Sequence, residues 1–260
     1  MQINKISKLV VCGGVFTYLF LYIPLIVVIL FSFNDSRVNV GWTGFTLKWY
    51  KVLFSDSALI SAAINSLLIA TISSILSVIL GTTAGIALHR YKVPFLYSLV
   101  LIPVAAPELL VGIALLLFFV LINFTLGYVS IILAHIAFCM SFVAVAVNTR
   151  MHGMDDSILD AARDLGATPT KTFFLILLPT ILPGIISGGL MAFTLSVDDF
   201  IITFFTAGPG ATTLPLAIYS MLKMGLTPEI NAVSTVIIVF TLVITSLATK
   251  ISPQLLKAVA

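Results

Sequence analysis

Charged residues are scarce in this sequence. Its 260 residues include 13 basic and 10 acidic side chains, 9% of the chain, whereas 60% are hydrophobic. Soluble domains carry about 25% charged residues, so this chain has too few to cover a water-exposed surface. Disorder is excluded because disordered chains have low hydrophobicity, and the basic residues form no tract of the kind that binds nucleic acid. The composition therefore predicts a polytopic membrane protein.

Several catalytic and cofactor-binding motifs are also missing. The two cysteines, Cys12 and Cys139, lie in apolar runs, and no C-x-x-C or His/Cys cluster indicates a metal site. The sequence lacks the G-x4-G-K-[ST] loop of ATP-binding proteins, and it lacks H-E-x-x-H and G-x-S-x-G. An intramembrane aspartyl protease needs carboxylates on different helices, which the adjacent Asp198 and Asp199 do not provide. We therefore expect a non-enzymatic chain that binds no metal or cofactor itself.

Six apolar stretches are long enough to cross a bilayer, which takes about 20 helical residues. The first ends in Phe31-Ser32-Phe33-Asn34 rather than in a small-residue cleavage site, so we interpret it as a retained span and not as a signal peptide. The predicted fold is an all-α polytopic membrane protein with one domain over residues 1–260 and a core at 60–250. The six predicted transmembrane helices are 9–33, 62–88, 95–121, 128–148, 177–200 and 230–250.

The distribution of basic residues predicts the orientation of these spans. With a cytoplasmic N-terminus, the inner segments hold nine Lys and Arg residues and the outer segments four. An excess of basic residues marks the cytoplasmic side, so both termini are predicted to be cytoplasmic. Residues 201–228 are apolar at first and are then broken by Gly208-Pro209-Gly210. They are predicted to form a short helix at the outer surface or dipping into it.

The long inner loop between the fourth and fifth spans is the only charge-dense segment. Asp155 or Asp156 can cap a short helix there, and Gly166 is a typical helix stop. Thr168-Pro169 then opens the next helix. A solvated connector is the alternative interpretation, but such a connector needs neither an apolar stripe nor a defined stop. In a helix over about 156–166 one face carries the apolar residues Ile158, Ala161, Ala162 and Leu165.

The same loop contains a motif with fixed spacing. It reads Asp160-Ala161-Ala162, three residues, Gly166, nine residues, Ile176, one residue and Leu178-Pro179. This pattern resembles the EAA signature of ABC-importer permeases, which is E-A-A, x3, G, x9, I, x, L-P. The one departure is Asp160 in place of Glu, which keeps the charge on a shorter side chain. The resemblance implies the type I ABC importer permease (MetI-like) fold and a location in the bacterial cytoplasmic (inner) membrane.

In permeases of this family, the corresponding short helix docks in a groove of a separate ATPase subunit. The resemblance therefore implies that four residues couple this chain to an ABC ATPase dimer, namely Asp160, Ala161, Ala162 and Gly166. That dimer holds ATP and Mg and hydrolyses the ATP. The resemblance also implies a second permease chain in a heterodimer, an extracytoplasmic binding protein, and transport by alternating access.

Further motifs resemble the permeases of spermidine/putrescine importers over nearly all of residues 15–250. They are Phe33-Asn34, Thr46-x-Lys48-Trp49-Tyr50, Asn65-Ser66-Leu67, Pro107-Glu108 and Ser196-x-Asp198-Asp199. The family usually has Asp at position 108, so Glu108 preserves the charge but reaches further. Where the EAA loop of this family can carry a further acid, this chain has Pro169. The resemblance implies that polyamines are handled by Trp49, Glu108, Ser196, Asp198 and Asp199.

The acidic residues in the spans fit a cationic substrate. A charge inside a membrane costs about 2.5–3.5 kcal/mol on insertion scales and is usually functional. Glu108 falls near the middle of the third predicted span, and Asp198 and Asp199 lie near the outer end of the fifth. No Lys or Arg lies in the interior of a span, so these carboxylates need a cation, a proton or water. Asp198 and Asp199 point about 100° apart on a helix, so one can face a pathway while the other holds a neighbouring helix or loop.

Other interpretations of these residues stay open. Glu108 can be a protonated acid packed against a polar neighbour, the Asp pair a solvated helix end, and Trp49 an interfacial anchor. Pro103 and Pro107, which flank Glu108, either free backbone carbonyls to line a cavity or produce a packing kink. His135 in the fourth span is predicted to be a satisfied interhelical histidine rather than a proton relay.

Two glycine pairs indicate places where helices pack closely. Gly81-x3-Gly85 and Gly184-x3-Gly188 allow close helix contact, without indicating which helix is the partner.

An ABC permease for another small solute, such as an amino-acid derivative or a metal complex, is the second choice of function. An ion channel or a secondary transporter explains the acids within the spans but not the EAA spacing.

Overall fold

The computed structural model describes residues 8–36, 41–155, 157–224 and 228–251. These residues are helical apart from their connecting loops and an isolated β-bridge between Asn34 and Phe45. A π-helical turn, Phe173–Leu177, connects two of the helices, which end at Thr172 and begin at Leu178. The helices are α1 (Lys8–Phe31), α2 (Lys48–Ser55), α3 (Ser57–Tyr91), α4 (Pro94–Ala105), α5 (Glu108–Leu121), α6 (Tyr128–His152), α7 (Ser157–Asp164), α8 (Pro169–Thr172), α9 (Leu178–Asp198), α10 (Ile201–Thr206), α11 (Leu214–Met224) and α12 (Pro228–Ile251).

The helices confirm an all-α membrane architecture. Among the described residues, four helices are long and apolar enough to cross a membrane, or five if the bent pair α4–α5 is one span. The four are Val10–Phe31, Ser57–Tyr91, Tyr128–His152 and Pro169–Asp198. The sixth predicted span corresponds to α12, whose side chains beyond Val243 lie outside the described residues. The count of six spans therefore stays a prediction.

The predicted third span, 95–121, is not one continuous helix. It consists of α4 and α5, whose axes differ by 109°. Pro107 explains the break, because a residue that precedes proline is pushed out of the helical conformation. Ala106 is accordingly extended, with φ −77° and ψ 143°. Glu108 is therefore the first residue of α5 rather than a residue in the middle of a helix.

The outer segment 201–228 contains two short helices where one was predicted. Helix α10 covers Ile201–Thr206 and α11 covers Leu214–Met224. The loop between them is held by side chains at the start of α3 and α6. The Asn65 side chain donates to the Thr212 carbonyl at 3.1 Å, and the Tyr128 hydroxyl donates to the Gly210 carbonyl at 3.0 Å.

The chain packs as two compact units, of which one contains α1, α2 and α12 and the other spans Ser61–Ala217. In the first unit, α12 packs against α1 and α2. In the second unit, α6 is central and packs against α4, α5, α9 and α10. The inner residues of α6, such as Val143 and Val147, are fully buried in the main hydrophobic cluster.

Glycines bring both α3 and α9 close to α6. A Cβ atom at Gly81 of α3 would lie 2.6 Å from the Met140 carbonyl oxygen and from Val143 Cβ. A Cβ atom at Gly188 of α9 would lie 3.0 Å from Val143 Cα. Both glycine pairs that the sequence indicated therefore have the same partner, α6, and they let two helix backbones approach it closely.

Candidate functional site

The chain turns sharply between α9 and α10, and Asp199 stabilises that turn. Its backbone is extended, with φ −62° and ψ 123°. One carboxylate oxygen, Oδ1, accepts from the Ile202 N–H at 3.3 Å, and the other, Oδ2, accepts from the Thr203 N–H at 2.7 Å. The first N–H groups of a helix have no partner within the helix, so an aspartate favours this position. The Asp199 side chain thus ties the end of α9 to the first turn of α10.

His135 joins this turn to α6. The side chain is 2% exposed, and its Nδ1 lies 2.6 Å from Ser196 Oγ on α9. Its Nε2 lies 2.9 Å from Thr203 Oγ1 and 3.2 Å from Asp199 Oδ2. The prediction of a satisfied interhelical histidine is therefore confirmed.

The direction of these hydrogen bonds follows from the available protons. The Thr203 hydroxyl donates its only hydrogen to Asp199 Oδ2 at 2.7 Å, so Thr203 Oγ1 can only accept from His135. An ionised carboxylate also only accepts. The hydrogen on the ring must therefore be on Nε2, and in the neutral ring Nδ1 accepts from the Ser196 hydroxyl. The Nε2–H group therefore faces Thr203 and Asp199, on the side of the turn.

The Asp199 carboxylate meets four donors, three of them at Oδ2 and one at Oδ1. It accepts from two backbone N–H groups, one hydroxyl and one imidazole N–H, and an ionised carboxylate offers about four lone-pair positions. Its side chain is also only 6% exposed. The residue types Ser196, His135 and Asp199 are those of a hydrolase triad. Because Ser196 is buried, its hydroxyl cannot reach a substrate carbonyl, and the arrangement is structural.

Asp198 and Glu108, in contrast, are exposed in the chain. Asp198 ends α9 and Glu108 begins α5, the helix against which the following α10 packs. Within the described part of the chain, neither forms an ion pair with a basic side chain. Two neighbouring negative charges repel each other, so a cation that binds between them relieves this repulsion. We call Glu108 and Asp198 the acid pair; two exposed carboxylates on different helices suit a ligand with more than one positive charge.

Helix α10 connects the turn at Asp199 to the helix that carries Glu108. It packs against α5 at Gly112, where a Cβ atom would lie 2.9 Å from Phe205 Cδ2 and 3.4 Å from Ile202 Cα. Glu108 lies about one helical turn before Gly112. The packing of α10 therefore contributes to the position of α5 and of its first residue.

Trp49 belongs to the other compact unit, where it is buried on α2. Its indole N–H donates to the Asn34 carbonyl at 2.7 Å. The Asn34 side chain in turn donates to the Gly41 carbonyl at 2.7 Å and accepts from the Thr43 N–H at 2.8 Å. Trp49 thus holds the segment that follows α1, and its ring is not exposed as an interfacial anchor would be.

The predicted helix at about 156–166 is α7, Ser157–Asp164; Asp156 lies outside the described residues. The capping residue is Asp155, whose Oδ1 accepts from the Ser157 N–H at 3.0 Å. This hydrogen bond from the backbone holds the pKa of the Asp155 carboxyl below its ordinary value of 3.8. The start of α7 is thus favoured by an ionised side chain.

Helix α7 ends in a Schellman motif, as the glycine indicated. Gly166 has φ +84°, in the left-handed region that glycine adopts without strain. Its N–H donates to the Arg163 carbonyl at 2.9 Å, and the Ala167 N–H donates to the Ala162 carbonyl at 3.0 Å. Thr168 then caps the next helix, with Pro169 at its first position. The stop at Gly166 and the start at Thr168 are confirmed.

The apolar side chains of α7 divide between two directions. Ala162 is buried, and the neighbouring Leu159 packs against the main hydrophobic cluster. Ile158, Ala161 and Leu165 are exposed, and Leu165 is 89% exposed. Because they are three and four residues apart, these three side chains lie on one helical face. We call Ile158 and Ala161, together with Leu165 directly after the last residue of α7, the outer face of α7.

The Asp160 side chain of the EAA-like motif is 71% exposed. It accepts a hydrogen bond from Arg163 at 3.0 Å, one turn along α7. An ion pair so exposed contributes little to stability, and both side chains are accessible to a partner.

Comparison with known proteins identifies the family. Residues 77–257 match the family described as "Binding-protein-dependent transport system inner membrane component". The chain belongs to this family. The resemblance that the EAA spacing predicted is thereby confirmed, and the chain is an inner-membrane component of a transport system.

Individual relatives cover most of the chain. The "Spermidine/putrescine transport system permease protein PotC" of Escherichia coli (strain K12) is 40% identical over 236 residues, which are 89% of each chain. The "Putrescine transport system permease protein PotI" of the same strain is 43% identical over 232 residues, 85% of this chain and 82% of that one. The resemblance to spermidine/putrescine permeases is confirmed.

Solved structures show the fold. A chain of the MetNI methionine ABC transporter aligns with a TM-score of 0.62 and 19% identity, covering 78% of this chain and 96% of that one. A chain of a bacterial ABC transporter involved in the import of alginate aligns with a TM-score of 0.69 and 14% identity, covering 96% and 98%. The predicted MetI-like permease fold is therefore confirmed.

The structure brings four of the five predicted pathway residues into one unit. Glu108, Ser196, Asp198 and Asp199 lie within Ser61–Ala217, and Trp49 lies in the other unit. Their roles in transport stay predictions. The sequence reasoning missed Thr203, although an aspartate shortly before an apolar pair and a threonine is typical of a capped helix start. Among the described residues, no group of three or more His, Cys, Asp and Glu side chains is arranged to hold a metal ion.

Proposed function

We propose that this chain is the transmembrane permease subunit of an ATP-driven importer that moves polyamines, such as spermidine and putrescine, across the bacterial inner membrane by alternating access. The observation that carries the proposal is the acid pair, Glu108 and Asp198, which is exposed beside a broken helix and has no basic ion-pair partner among the residues that the structure describes. The names and identities of the relatives support the substrate class. The fold alone does not choose it, since relatives of this fold belong to methionine and alginate importers.

The chemistry of the acid pair matches a polyamine. Such a molecule carries ammonium groups separated by methylene chains, so two carboxylates on different helices can each take one ammonium group. Glu108 and Asp198 are the residues that contact the substrate in this proposal. Asp199 and Ser196 act on the pathway through the turn that they stabilise, and Trp49 acts through the outer segment that it holds.

Helix α7 is the proposed contact with a separate ABC ATPase dimer. Its outer face is apolar and exposed, so it is available to fill a groove on a partner. The small side chain of Ala161 permits close approach of a partner, and that of Ala162 permits close packing on this chain. The stop at Gly166 makes α7 a short rigid lever that carries the exposed Asp160. ATP and Mg bind to the partner, and ATP hydrolysis takes place there rather than on this chain.

The complete transporter has further subunits in this proposal. A second permease chain completes the pathway as a heterodimer, and an extracytoplasmic polyamine-binding protein delivers the substrate. Cytoplasmic N- and C-termini place α7 on the side where an ATPase has access to ATP. The ordered α7 with its exposed outer face favours ATP coupling over an ion channel or a secondary transporter, since neither of these needs it.

Uptake by the reconstituted transporter tests the proposal. Asp198→Asn removes one charge of the acid pair, and we expect uptake of labelled spermidine to fall about tenfold or more, as for a lost charged hydrogen bond. Asp35→Asn is the matched control, because Asp35 is exposed but lies outside the acid pair. The control is expected to transport normally, and both variants should retain the ATPase. Uptake that is equal in both variants, or that needs an ion gradient instead of ATP, would overturn the proposal.

A further inference from the structure

We propose that His135 is a positioning residue for the substrate. It anchors the turn between α9 and α10 to α6 and so determines the separation of the Asp198 and Glu108 carboxylates. This inference rests on the proposed function, because it assigns His135 a role toward polyamines. The motifs quoted from the sequence do not include this residue.

The first step is the anchoring itself. The two ring nitrogens of His135 meet α9 and α10 together, at Ser196 on one side and at Thr203 with Asp199 on the other. All three partners are buried or nearly so. A hydrogen bond between buried groups is costly to leave unmade, so α6 holds the turn in one geometry.

The second step leads from the turn to the acid pair. Asp198 directly precedes Asp199, so the backbone that Asp199 fixes also fixes the base of the Asp198 side chain. Thr203 lies in α10, which packs against α5 at Gly112 and thereby contributes to the position of Glu108 at the start of α5. Both members of the acid pair therefore depend on the same anchored turn.

The third step concerns the substrate. The ammonium groups of a diamine are separated by a number of methylene groups that its formula fixes. A site whose two carboxylates are held at a set separation distinguishes diamines by length, whereas a site with a loose turn does so less well. His135 is thus expected to influence which diamine is transported fastest.

Substitutions at His135 distinguish the roles of its two ring nitrogens. The amide of Gln can reach the position of Nε2 and donate to Thr203 and Asp199, while the amide of Asn reaches only the position of Nδ1, next to Ser196. Phe retains the ring volume without either hydrogen bond. Because the anchoring of Asp199 depends on the Nε2 side, His135→Gln should preserve the turn, and His135→Asn and His135→Phe should not.

The test measures maximal uptake rates by the complete transporter in lipid vesicles. The probes are 1,3-diaminopropane, 1,4-diaminobutane and 1,5-diaminopentane. Each is supplied at a saturating concentration, because the concentration that gives half-maximal uptake is set mainly by the binding protein. We expect His135→Gln to stay within about threefold of the unaltered protein and to keep the ratios of the three rates. We expect His135→Asn and His135→Phe to lower uptake about tenfold or more and to change those ratios, while the ATPase still co-purifies.

The ratios decide between positioning and a general structural role. Variants that slow all three diamines equally, or His135→Asn behaving like the unaltered protein, would overturn the inference. If the His135→Phe chain does not assemble, Thr203→Val replaces it, because Val removes the hydroxyl and keeps the shape. Thr203→Val is expected to change the ratios as His135→Asn does, and unchanged ratios would also overturn the inference.

A substrate-free measurement keeps this inference separate from the proposed function. If the unaltered transporter moves no diamine, the proposed function fails, and the anchoring is then tested by thermal unfolding of His135→Asn, Asp199→Asn and the double variant. Residues in one hydrogen-bond network have effects that do not add, so the double variant should lose less stability than the two single losses together. Additive losses would overturn the anchoring by His135.

Discussion

Gly81→Ala is expected to destabilise the packing of α3 against α6. The added Cβ atom would lie 2.6 Å from the Met140 carbonyl oxygen and 2.6 Å from Val143 Cβ, whereas carbon atoms in contact are normally about 3.5–4.0 Å apart. The two helices must therefore separate by roughly 1 Å near this point. Overpacking of this kind costs about 1–3 kcal/mol, and Val143 cannot move aside because it is fully buried.

The chain offers its own probe for this measurement. Cys139 is buried on α6 and Cys12 is exposed, so Cys12→Ser leaves a single thiol that a maleimide dye labels only when the core opens. In that background, Gly81→Ala should label at a lower temperature than the parent. Gly13→Ala is the matched control in another apolar helix, because a Cβ atom there meets nothing within 4 Å. Equal labelling temperatures for Gly81→Ala and the parent would refute the close packing of α3 on α6.

Helix α7 supports three further predictions. Leu165→Glu places a charge on the exposed outer face, so it should weaken co-purification of the ATPase without lowering the temperature of thermal unfolding. Unchanged co-purification would contradict the docking role. Gly166→Ala puts a side chain at φ +84° and costs about 1–2 kcal/mol; we expect less ATP-driven uptake with unchanged binding of the external protein, whereas full uptake would show that the stop is dispensable. Because the folded state lowers the pKa of Asp155, its stabilising effect is present above the ordinary value of 3.8 and is lost as the pH falls through the lowered value. Hydrogen exchange at the start of α7 should therefore accelerate in that range, and Asp155→Asn should abolish this dependence; the same pH profile in the variant would refute the cap.

The sequence predicted the fold well where a single residue type has one physical consequence. Long apolar runs form helices in a membrane because backbone groups need internal partners there, and the predicted runs coincide with α1, α3 and α6. The helix end at Gly166 and the helix start at Thr168 were also predictable, because a left-handed glycine and a capping hydroxyl each act through local structure alone. Pro107 indicated an interruption, but the 109° bend depends on what α4 and α5 pack against, which no local pattern records.

The candidate site was predictable as a set of acids but not as an arrangement. Angular spacing on a helix showed that Asp198 and Asp199 face different directions. In the structure the Asp198 side chain is exposed, whereas the Asp199 side chain is buried. Which of them is buried depends on His135, 64 positions earlier in the chain, and on Thr203 beyond the turn. Contacts between residues so far apart come from tertiary packing, so no local pattern could show which aspartate is buried.

Simultaneous measurement of ATP hydrolysis and spermidine uptake tests the central claim most directly. The purified transporter contains this chain, its companion permease, the ATPase and the binding protein, reconstituted in lipid vesicles. The account predicts that spermidine stimulates ATP hydrolysis, that uptake stops without ATP, and that Asp198→Asn suppresses the uptake while the ATPase stays bound. Spermidine uptake at the same rate without ATP, or a chain that never associates with an ATPase, would contradict it.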